Sequence, residues 1–590
     1  MFNNPILYLS RIVWRLSLGN RKSVVTYVIF FIIANSLSLL QPLIIAHVLN
    51  VIQETGIRSE NLWSLIAFLG LFAVQDLFFW MFHGPARVME RKNAFLVRAQ
   101  YKKNLLSGTM ALPMEWHVEH HSGDTIDKIE KGTRAIYDFT EHSFQVIEAL
   151  VRFVGSLIAI AFFNLNAIFI VILLVVIALR ALATFDKKLV AQYTELNHAD
   201  NKISAKLFDA LSNISTVIIL RVEHLLQRDI SQALMKPLRL FIENSKLNEW
   251  KWFTASMSAG FLQFLVLGAY TFWTVQSEGD ILVGSLFALY TYTNRINDVF
   301  FTFAYLYNDI VRERAAVQNA EEISLAFPLM SKKDEDLHYA WETCSIQNLS
   351  FSYATGKQAP LHLDQIALSW KHGEKIALIG ESGSGKTTFL KIVRGLYTPG
   401  TLDLKLDGNC LVDGFLSLKE DIALIPQDPE IFATTIRENI TMGVERTEEE
   451  ISTFMDMARF SSVVKRLPRG LESSIVEKGV NLSGGEKQRL ALARGLLASH
   501  DKSILLLDES TSSVDAHNEL AIYEKIFSRY GDKTIIASIH RLHLLRLFDT
   551  IYLFENGAIV ARGNFEELLN TSEAFARQWK KYTETKKEVF

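Results

Sequence analysis

Cysteine is almost absent from this chain, and its positive and negative charges nearly cancel. The 590 residues include two cysteines, Cys344 and Cys410, which lack the spacing of metal ligands. We interpret both as reduced cytosolic thiols without a functional role, so the sequence offers neither a disulfide framework nor a cysteine-bound metal. The formal net charge of −3 gives no reason to expect nucleic acid as a partner.

A cleavage site of small residues is also missing near the N-terminus. Residues 1–22 instead carry Arg11, Arg15, Arg21 and Lys22, a pattern that excludes a removable signal peptide. We interpret this segment as a short amphipathic cytoplasmic stretch that precedes the first membrane span.

Charged residues are scarce in six long apolar stretches of the first half. Each stretch is close to the roughly 20 residues that cross the hydrocarbon core of a bilayer. A buried helix of a soluble protein could imitate one such stretch, but not six that are rich in Phe, Leu and Ile. The sequence therefore predicts a transmembrane domain over residues 23–318, with six spans at about 24–49, 62–83, 144–163, 165–182, 252–275 and 283–306.

Lysine and arginine are sparse in some connections between these spans and dense in others. The long segments 85–143 and 183–250 carry many of them, whereas 276–280 carries none. Because positive residues accumulate on the cytoplasmic side, we expect a multi-pass protein of the cell membrane, in a bacterial inner membrane, with both termini cytoplasmic. The long segments show helical periodicity, and we expect them to project into the cytoplasm and end in short cross-helices near 116–124 and 208–215.

Polar side chains recur within the predicted spans. In the last span Asn294, Arg295 and Asp298 follow three- and four-residue steps and share one helix face. Ionisable groups at membrane depth are costly and normally face a bundle interior or a water-filled cavity. One hypothesis is that these residues, with Gln41 and Asp76, line a translocation pathway for a polar cargo. The alternative is structural: Arg295 pairs with Asp298 or Asp76 and locks the helices.

The second half has the mixed polarity of a soluble domain. We predict a linker at 319–340, an α/β domain at 341–582 with a largely parallel sheet, and a tail at 583–590. Within the domain an apolar run ends abruptly at a glycine-rich segment, which consists of Gly380, Glu381, Ser382, Gly383, Ser384, Gly385, Lys386, Thr387 and Thr388.

This segment fits the phosphate-loop pattern G-x-x-x-x-G-K-[ST]. Glycine lets backbone N–H groups turn inward, and the following helix N-terminus attracts phosphate. The segment predicts ATP binding, with Lys386 on the β- and γ-phosphates and Thr387 on Mg²⁺. A chance glycine-rich turn is disfavoured by the strand before it and the helix after it. The predicted fold class is a membrane α-helical bundle with long cytoplasmic extensions, fused to an α/β P-loop ATPase domain.

Two further motifs lie downstream of the phosphate loop. An apolar strand at 503–507 ends in Asp508 and Glu509, which can organise Mg²⁺ and orient or deprotonate an attacking water. The second motif, Ser483-Gly484-Gly485, precedes a helical run and offers a capped, positive helix end for an anion. A plain capped helix is the alternative for these residues alone.

The order and spacing of these motifs resemble the ATPase of ABC transporters. In that resemblance Ser483 to Gly485 match the signature motif, and residues 477–479 match the segment before it. The resemblance implies catalytic roles for Glu509, His540 and Lys386. It implies metal contacts from Thr387, Gln427 and Asp508, and nucleotide contacts from Tyr353, Gln427, Ser483, Gly484, Gly485 and Asp515 as well as the phosphate loop. Four positions depart from the usual pattern, namely Glu486, Ser513, Val514 and Lys478.

The membrane half resembles the six-span exporter class with the type IV fold. That resemblance implies that two chains meet head to tail, as a homodimer or with a related half-transporter, and clamp ATP at shared sites. It implies export of a small molecule, lipid or peptide by alternating access, with import as the alternative direction. A channel that the ATPase only gates is a further alternative that the sequence does not exclude. The six spans argue against a soluble ATPase that acts on nucleic acid. The cargo class is left open between lipid, amphipathic drug, peptide and glutathione-like conjugate.

Overall fold

The computed structural model of this chain forms two compact units. It describes residues 4–120, 122–163, 165–276, 280–327, 341–353, 361–428, 430–475 and 482–588. The first unit, called the membrane unit below, consists of Met1–Leu112 and His120–Pro328. The second, the nucleotide unit, consists of Leu329–Phe590 together with the short segment Pro113–Glu119.

The described part of the membrane unit is helical throughout. Its helices are α1 (Pro5–Leu16), α2 (Arg21–Ser38), α3 (Gln41–Thr55), α4 (Leu62–Met110), α6 (Ser122–Glu141), α7 (Ser143–Phe163), α8 (Leu165–Ser212), α9 (Ile214–Leu220), α10 (Glu223–Met235), α11 (Leu238–Gln276) and α12 (Val283–Leu325). Helix α5 (Met114–Glu119) belongs to the nucleotide unit.

Five helical segments of the described chain are long and apolar enough to cross a membrane, and they contain the first five predicted spans. They are Arg21–Thr55, Leu62–Met110, Ser122–Phe163, Ala167–Ser212 and Glu223–Gln276. The sixth predicted span lies in α12, which is not among these five. Helix α12 nevertheless contacts α3, α7 and α11, so its polar residues are accommodated by helix packing.

The two predicted cross-helices are present, with shifted bounds. The first is α5, and the backbone N–H of Thr398 donates to Oε1 of Glu115 at 3.3 Å within the nucleotide unit. The second is α9, which begins later than predicted because α8 continues to Ser212. Apolar side chains on α9 are exposed, with Ile219 at 78%.

Two predicted boundaries fall inside helices. Helix α12 continues through Leu325, so the start of the predicted linker at 319 is helical, while residues 328–340 lie outside the described residues. The final helix, α20 (Glu573–Glu588), likewise continues into the predicted tail. Helical spacing of apolar residues does not stop where the charge density rises, so both helices continue past the positions at which the composition changes.

The nucleotide unit contains a four-stranded antiparallel sheet and a six-stranded, mainly parallel sheet. The strands are β1 (Thr343–Phe351), β2 (Leu363–Lys371), β3 (Lys375–Ile379), β4 (Thr401–Leu406), β5 (Asn409–Cys410), β6 (Ile422–Ile425), β7 (Ile504–Asp508), β8 (Thr534–Ser538), β9 (Thr550–Glu555) and β10 (Ala558–Gly563). The antiparallel sheet has the order β2-β1-β4-β5, and the other has the order β10-β9-β3-β8-β7-β6. The predicted parallel core is confirmed, whereas sequence reading did not anticipate the antiparallel sheet.

Helices cover the parallel sheet, whose central strands are fully buried. These helices are α13 (Lys386–Val393), α14 (Ile436–Thr441), α15 (Glu448–Met457), α16 (Ser461–Arg466), α17 (Gly484–Ala498), α18 (Ala516–Arg529) and α19 (Phe565–Thr571). Strands β3, β7 and β8 are buried at every position, which explains why they appear in the sequence as continuous apolar runs. The carboxyl ends of parallel strands meet at one edge of a sheet, where ligands usually bind.

Candidate nucleotide site

The phosphate loop connects β3 to α13 and requires glycine at two positions. Gly380 has φ +146°, and a Cβ built there would lie 2.2 Å from the carbonyl oxygen of Phe554. Gly385 has φ +106°, and its Cβ would lie 2.7 Å from Cδ2 of Leu363. Both the backbone conformation and the close approach therefore exclude a side chain.

Lys386 lies inside this loop rather than in solvent. Its side chain folds back, and Nζ donates to the carbonyl oxygens of Gly380 at 2.9 Å and Glu381 at 3.0 Å. The residue is 4% exposed, and burial lowers the pKa of its ammonium group. An incoming phosphate would take the place of these carbonyl oxygens as the acceptor for a charge that is already desolvated.

Thr387 and Asp508 form the candidate magnesium site. Oγ1 of Thr387 donates to Oδ1 of Asp508 at 2.9 Å, where α13 begins and β7 ends. Asp508 is 3% exposed, and burial raises the pKa of its carboxyl group while the bond from Thr387 opposes that shift. Mg²⁺ prefers hydroxyl and carboxylate oxygens, so the residues present fit this metal.

Glu509 follows β7 and is held by residues that follow the two strands on either side of β7. Its Oε2 accepts from Nε2 of Gln427, which follows β6, at 2.8 Å. Its Oε1 lies 2.6 Å from Nε2 of His540, which follows β8. Glu509 itself has φ 43°, an uncommon conformation for a residue with a side chain and one often found at functional sites. The predicted catalytic carboxylate is therefore oriented by both predicted partners.

These residues surround a cavity of about 360 Å³. The predicted residues from Ser382 to Thr388 line it, together with Gln427, Glu509 and His540. His362 also lines the cavity and was not predicted, because it precedes β2 and lies outside every motif recognised in the sequence. Asp508 is linked to this cavity through Thr387.

Tyr353 lies at the edge of this arrangement. Its hydroxyl donates to Oγ1 of Thr388 at 3.2 Å, and its ring centroid lies 4.9 Å from that of His362. The side chain is 43% exposed, so one ring face is available to a stacking partner. The structure thus places the predicted adenine platform beside the phosphate loop.

The signature residues Ser483, Gly484 and Gly485 do not line this cavity of their own chain. Ser483 is the N-cap of α17 and forms a capping box with Glu486. Oε2 of Glu486 accepts from the backbone N–H of Ser483 at 2.9 Å, and its other oxygen pairs with Arg466. The bond from the Ser483 backbone lowers the pKa of Glu486. Glu at this position is therefore accommodated locally, because its carboxylate completes the capping box, as Gln could, and also pairs with Arg466.

Asp515 also lies outside the cavity. It is the N-cap of α18, where Oδ1 accepts from the backbone N–H of Asn518 at 3.0 Å, and that local bonding lowers its pKa. Val514, another departure from the family pattern, is buried in the hydrophobic core. Residues 477–479, including Lys478, lie outside the described residues.

Two residues that sequence reasoning missed connect these motifs. Gln488 on α17 accepts from the backbone N–H of Ser513 at 2.7 Å and donates to the carbonyl oxygen of Gln427 at 3.3 Å. Arg541, next to His540, donates to the carbonyl oxygen of Val514 at 2.7 Å. A signal was available for Arg541, since it directly follows the predicted histidine. Gln488 carried none, because a glutamine within a helix has no distinctive spacing.

Arg295 in the membrane unit has a structural partner that neither hypothesis named. In a continuous helix the carbonyl oxygen of Ser38 would accept from the backbone N–H of residue 42, but Pro42 has no N–H. Nη2 of Arg295 donates to this carbonyl oxygen instead, at 3.1 Å. The hydroxyl of Tyr292 donates to the next carbonyl oxygen, that of Leu39, at 2.6 Å. Side chains of helix α12 thus satisfy the carbonyl oxygens that the break between α2 and α3 leaves without backbone donors. Among the described residues Arg295 forms no ion pair with Asp298 or Asp76, so that prediction is wrong.

The five predicted pathway residues do not meet in one cavity of this unit. Gln41, Asp76 and Asp298 are exposed, and Oδ1 of Asn294 accepts from Nε2 of Gln263 at 3.2 Å. A cavity of about 830 Å³ lies instead between α6, α8, α11 and α12, and none of the five lines it. Its lining combines carboxylates, lysines and amides with the aromatic rings of Tyr193, Trp252 and Tyr305.

Known protein families match both halves of the chain. A family described as the ABC transporter transmembrane region matches residues 24–298, and a family described as ABC transporter matches residues 363–512. The fold is also similar to that of a bacterial Atm1-family ABC exporter solved with ATP bound. The TM-score is 0.83 at 21% identity, over 95% of this chain and 99% of that one.

Curated relatives are longer than this chain. ATP-binding cassette sub-family B member 6 of Rattus norvegicus is 26% identical over 92% of this chain and 65% of its own length. The iron-sulfur clusters transporter ATM1 of Kluyveromyces lactis mitochondria is 28% identical over 80% of this chain and 66% of its own length. Heavy metal tolerance factor 1 of Caenorhabditis elegans is 28% identical over 80% and 59%. The chain thus spans less than two thirds of the length of these relatives.

Proposed function

Because this chain belongs to the ABC transporter family, we propose that two copies of it use ATP to export a small molecule, lipid or peptide across a membrane. The observation that carries this proposal is the separation of the two nucleotide motifs. The phosphate loop lines a cavity, while Ser483 and Gly484 are exposed and lie outside that cavity. A second copy, placed head to tail, would supply its signature helix to each phosphate loop.

The residues of the cavity divide the chemical work. The loop amides and Lys386 bind the phosphates, and Glu509 holds the attacking water and accepts its proton. His540 donates to Glu509 here and would donate to the γ-phosphate when nucleotide is bound. Mg²⁺, bound by Thr387, Asp508 and Gln427, would neutralise charge on the β- and γ-phosphates.

Transmission to the membrane unit would use the two cross-helices. Helix α5 belongs to the nucleotide unit of its own chain. Helix α9 belongs to the membrane unit and exposes Ile218 at 57% and Leu220 at 63%. An apolar helix at the end of two long helices is suited to insertion into another surface, and we assign it to the nucleotide unit of the second copy.

Complementation between two inactive chains tests the dimer. One chain carries Lys386→Ala and the other carries Gly484→Glu, so each homodimer lacks a necessary part of both sites. A mixed dimer restores one complete site, so we expect up to about half of the normal ATP hydrolysis per mixed dimer, or about a quarter in a sample of equal amounts that pair at random. Differently tagged copies confirm that mixed dimers form. Mixed dimers without activity, or full activity in isolated single chains, would contradict the proposal.

The cargo is proposed to be a polar organic molecule. The large cavity of the membrane unit carries both signs of charge, amides and aromatic rings, which suits a zwitterionic ligand more than a simple hydrocarbon. One curated relative is named for iron-sulfur clusters and another for heavy metal tolerance, so thiol conjugates are the first class to test. Cargo-stimulated ATP hydrolysis would be compared across thiol conjugates, peptides, lipids and amphipathic drugs.

Direction is proposed to be export from a bacterial cytoplasm, with both termini on the ATP side. In inverted vesicles, ATP added outside should drive labelled cargo into the lumen. ATP-dependent movement out of the lumen would instead identify an importer, and passive movement without hydrolysis would identify a gated channel.

A further inference from the structure

Helix α1 presents two kinds of surface. Leu9, Ile12 and Leu16 are buried within the membrane unit, whereas Trp14 is 43% exposed and Leu18, two residues after the helix ends, is 72% exposed. A helix with basic residues and exposed large apolar side chains is typical of the interface between membrane and water.

Between α1 and α12 lies a pocket of about 640 Å³ with an excess of positive charge. The guanidinium groups of Arg11, Arg15, Arg21 and Arg314 line it, and Glu321 is the single carboxylate among its lining residues. Four positive charges and one negative charge leave an excess of three. Glu321 pairs with Arg15, whose Nη2 lies 3.4 Å from Oε2.

Aromatic rings orient two of these arginines. The guanidinium carbon of Arg314 lies 5.5 Å from the ring centroid of Tyr8, and that of Arg21 lies 4.9 Å from the ring centroid of Trp14. Nε of Arg21 also donates to the carbonyl oxygen of Trp14 at 3.3 Å. Cation–π contacts restrict long side chains, so less entropy is lost when an anion binds between them.

The pocket begins near the depth of lipid headgroups and extends towards the cytoplasm, because Arg314 on α12 lies eight residues, about 12 Å along a helix, beyond the predicted end of the sixth span. Arg21 opens α2, and the apolar residues of the first span begin three residues later, which corresponds to about 4.5 Å along a helix. The headgroup layer on each side of the hydrocarbon core is about 5–7 Å thick. A phosphate at this depth belongs to a phospholipid.

We propose that this arginine pocket binds the phosphate of an anionic phospholipid headgroup, with the acyl chains lying along exposed Trp14 and Leu18. The bound lipid would fix α1, and with it the start of the first span and the cytoplasmic end of α12. Basic pockets between membrane helices on the cytoplasmic side are suited to such headgroups.

Lipid retention by the full chain tests this proposal. Protein would be exchanged into micelles that contain equal amounts of phosphatidylglycerol and phosphatidylcholine, and retained lipid would be quantified by mass spectrometry. Each arginine near an anionic lipid strengthens binding about fivefold, so we expect Arg11→Gln with Arg21→Gln to lower the retained ratio of the two lipids by about 5- to 25-fold. Arg239→Gln, at a side chain 93% exposed on α11, is the matched control and should leave the ratio unchanged.

A second variant gives an effect of opposite sign. Glu321→Gln removes the single carboxylate and releases Arg15, so it should raise the retained ratio several-fold, which a damaged pocket would not do. An unchanged ratio in both pocket variants would overturn the proposal. Displacement of the lipid by excess inorganic phosphate would also overturn it, because the pocket would then be a site for a soluble anion.

Discussion

Lys386 in the nucleotide unit and Arg295 in the membrane unit make the same kind of bond, yet they do different work. Each is a partly or fully buried cation that donates to backbone carbonyl oxygens. The carbonyl oxygens that bind Lys386 belong to a loop that opens into a cavity, so phosphate can replace them. The carbonyl oxygen that binds Arg295 belongs to a helix break, where the described residues show this side chain as its donor. The comparison shows that a buried cation indicates a ligand site only where its acceptors can be exchanged.

The largest effect is expected at Glu509, the proposed catalytic carboxylate. Glu509→Gln should lower ATP hydrolysis at least about 100-fold, because the amide cannot accept a proton from water. Phosphate release measures this loss, and ATP affinity measured on the same protein should be retained. Glu524→Gln, at an exposed position on α18, is the control. Rapid ATP hydrolysis by the Glu509→Gln variant would contradict the proposed role of Glu509. The cavity beside Lys386 could then no longer serve as the example of a ligand site in this comparison.

Substitutions at the adjacent residues Gly484 and Gly485 distinguish packing within one chain from the proposed contact between two chains. A Cβ at Gly485 would lie 2.7 Å from the carbonyl oxygen of Ser513, whereas a Cβ at Gly484 meets nothing within 4 Å. Gly485→Ala should therefore destabilise the nucleotide unit by about 2 kcal/mol, seen as a thermal midpoint several degrees lower. Gly484→Ala should leave the midpoint unchanged but lower ATP hydrolysis, since the second copy would contact it. Equal midpoints for both variants would contradict the packing argument.

A double-mutant cycle tests the role of Arg295. Arg295→Met should destabilise the membrane unit by about 1.5–3 kcal/mol, because it leaves the carbonyl oxygen of Ser38 unsatisfied. Pro42→Ala supplies a backbone N–H to that oxygen, so the same Arg295 substitution should cost much less in this background. Thermal unfolding in detergent measures both differences. If Arg295→Met lowered the stability equally with Pro42 and with Ala at this position, Arg295 would not be satisfying the helix break, and the hypothesis that it lines a translocation pathway would be favoured again.

The smallest effect concerns a buried carboxyl group on the cytoplasmic part of α12. Burial, reinforced by Asp138 and Asp309 and opposed by Arg312, raises the pKa of Glu313 to about 8. The folded state therefore binds a proton that the unfolded state releases near the ordinary glutamate pKa of 4.5, and stability falls as pH rises from about 5 through 8. Glu313→Gln removes this loss and should be more stable than the parent protein by about 1 kcal/mol at pH 9 but not at pH 5, after allowance for solvent screening.

Unfolding midpoints across that pH range provide the measurement, and Glu322→Gln, at an exposed position on the same helix, is the control. A pH dependence that is identical in the parent protein and in Glu313→Gln would show that this carboxyl group is solvated.

Sequence patterns are most informative where a site depends on backbone conformation. The phosphate loop was predicted residue by residue because only glycine permits its turns, and Asp508 and Glu509 because a buried strand must end where they stand. The roles of His362 and Gln488 depend on contacts between distant segments, and no local pattern marks them.

By itself the sequence determined five of the membrane spans, the parallel core and the phosphate loop, since apolar periodicity and glycine placement are local properties that do not depend on knowledge of the fold. Only the tertiary structure decided that Arg295 satisfies a helix break, that Glu486 caps a helix and that four arginines surround one pocket. The reason is physical: the meaning of a polar side chain depends on which partner lies within about 3 Å, and that partner is usually distant in the chain.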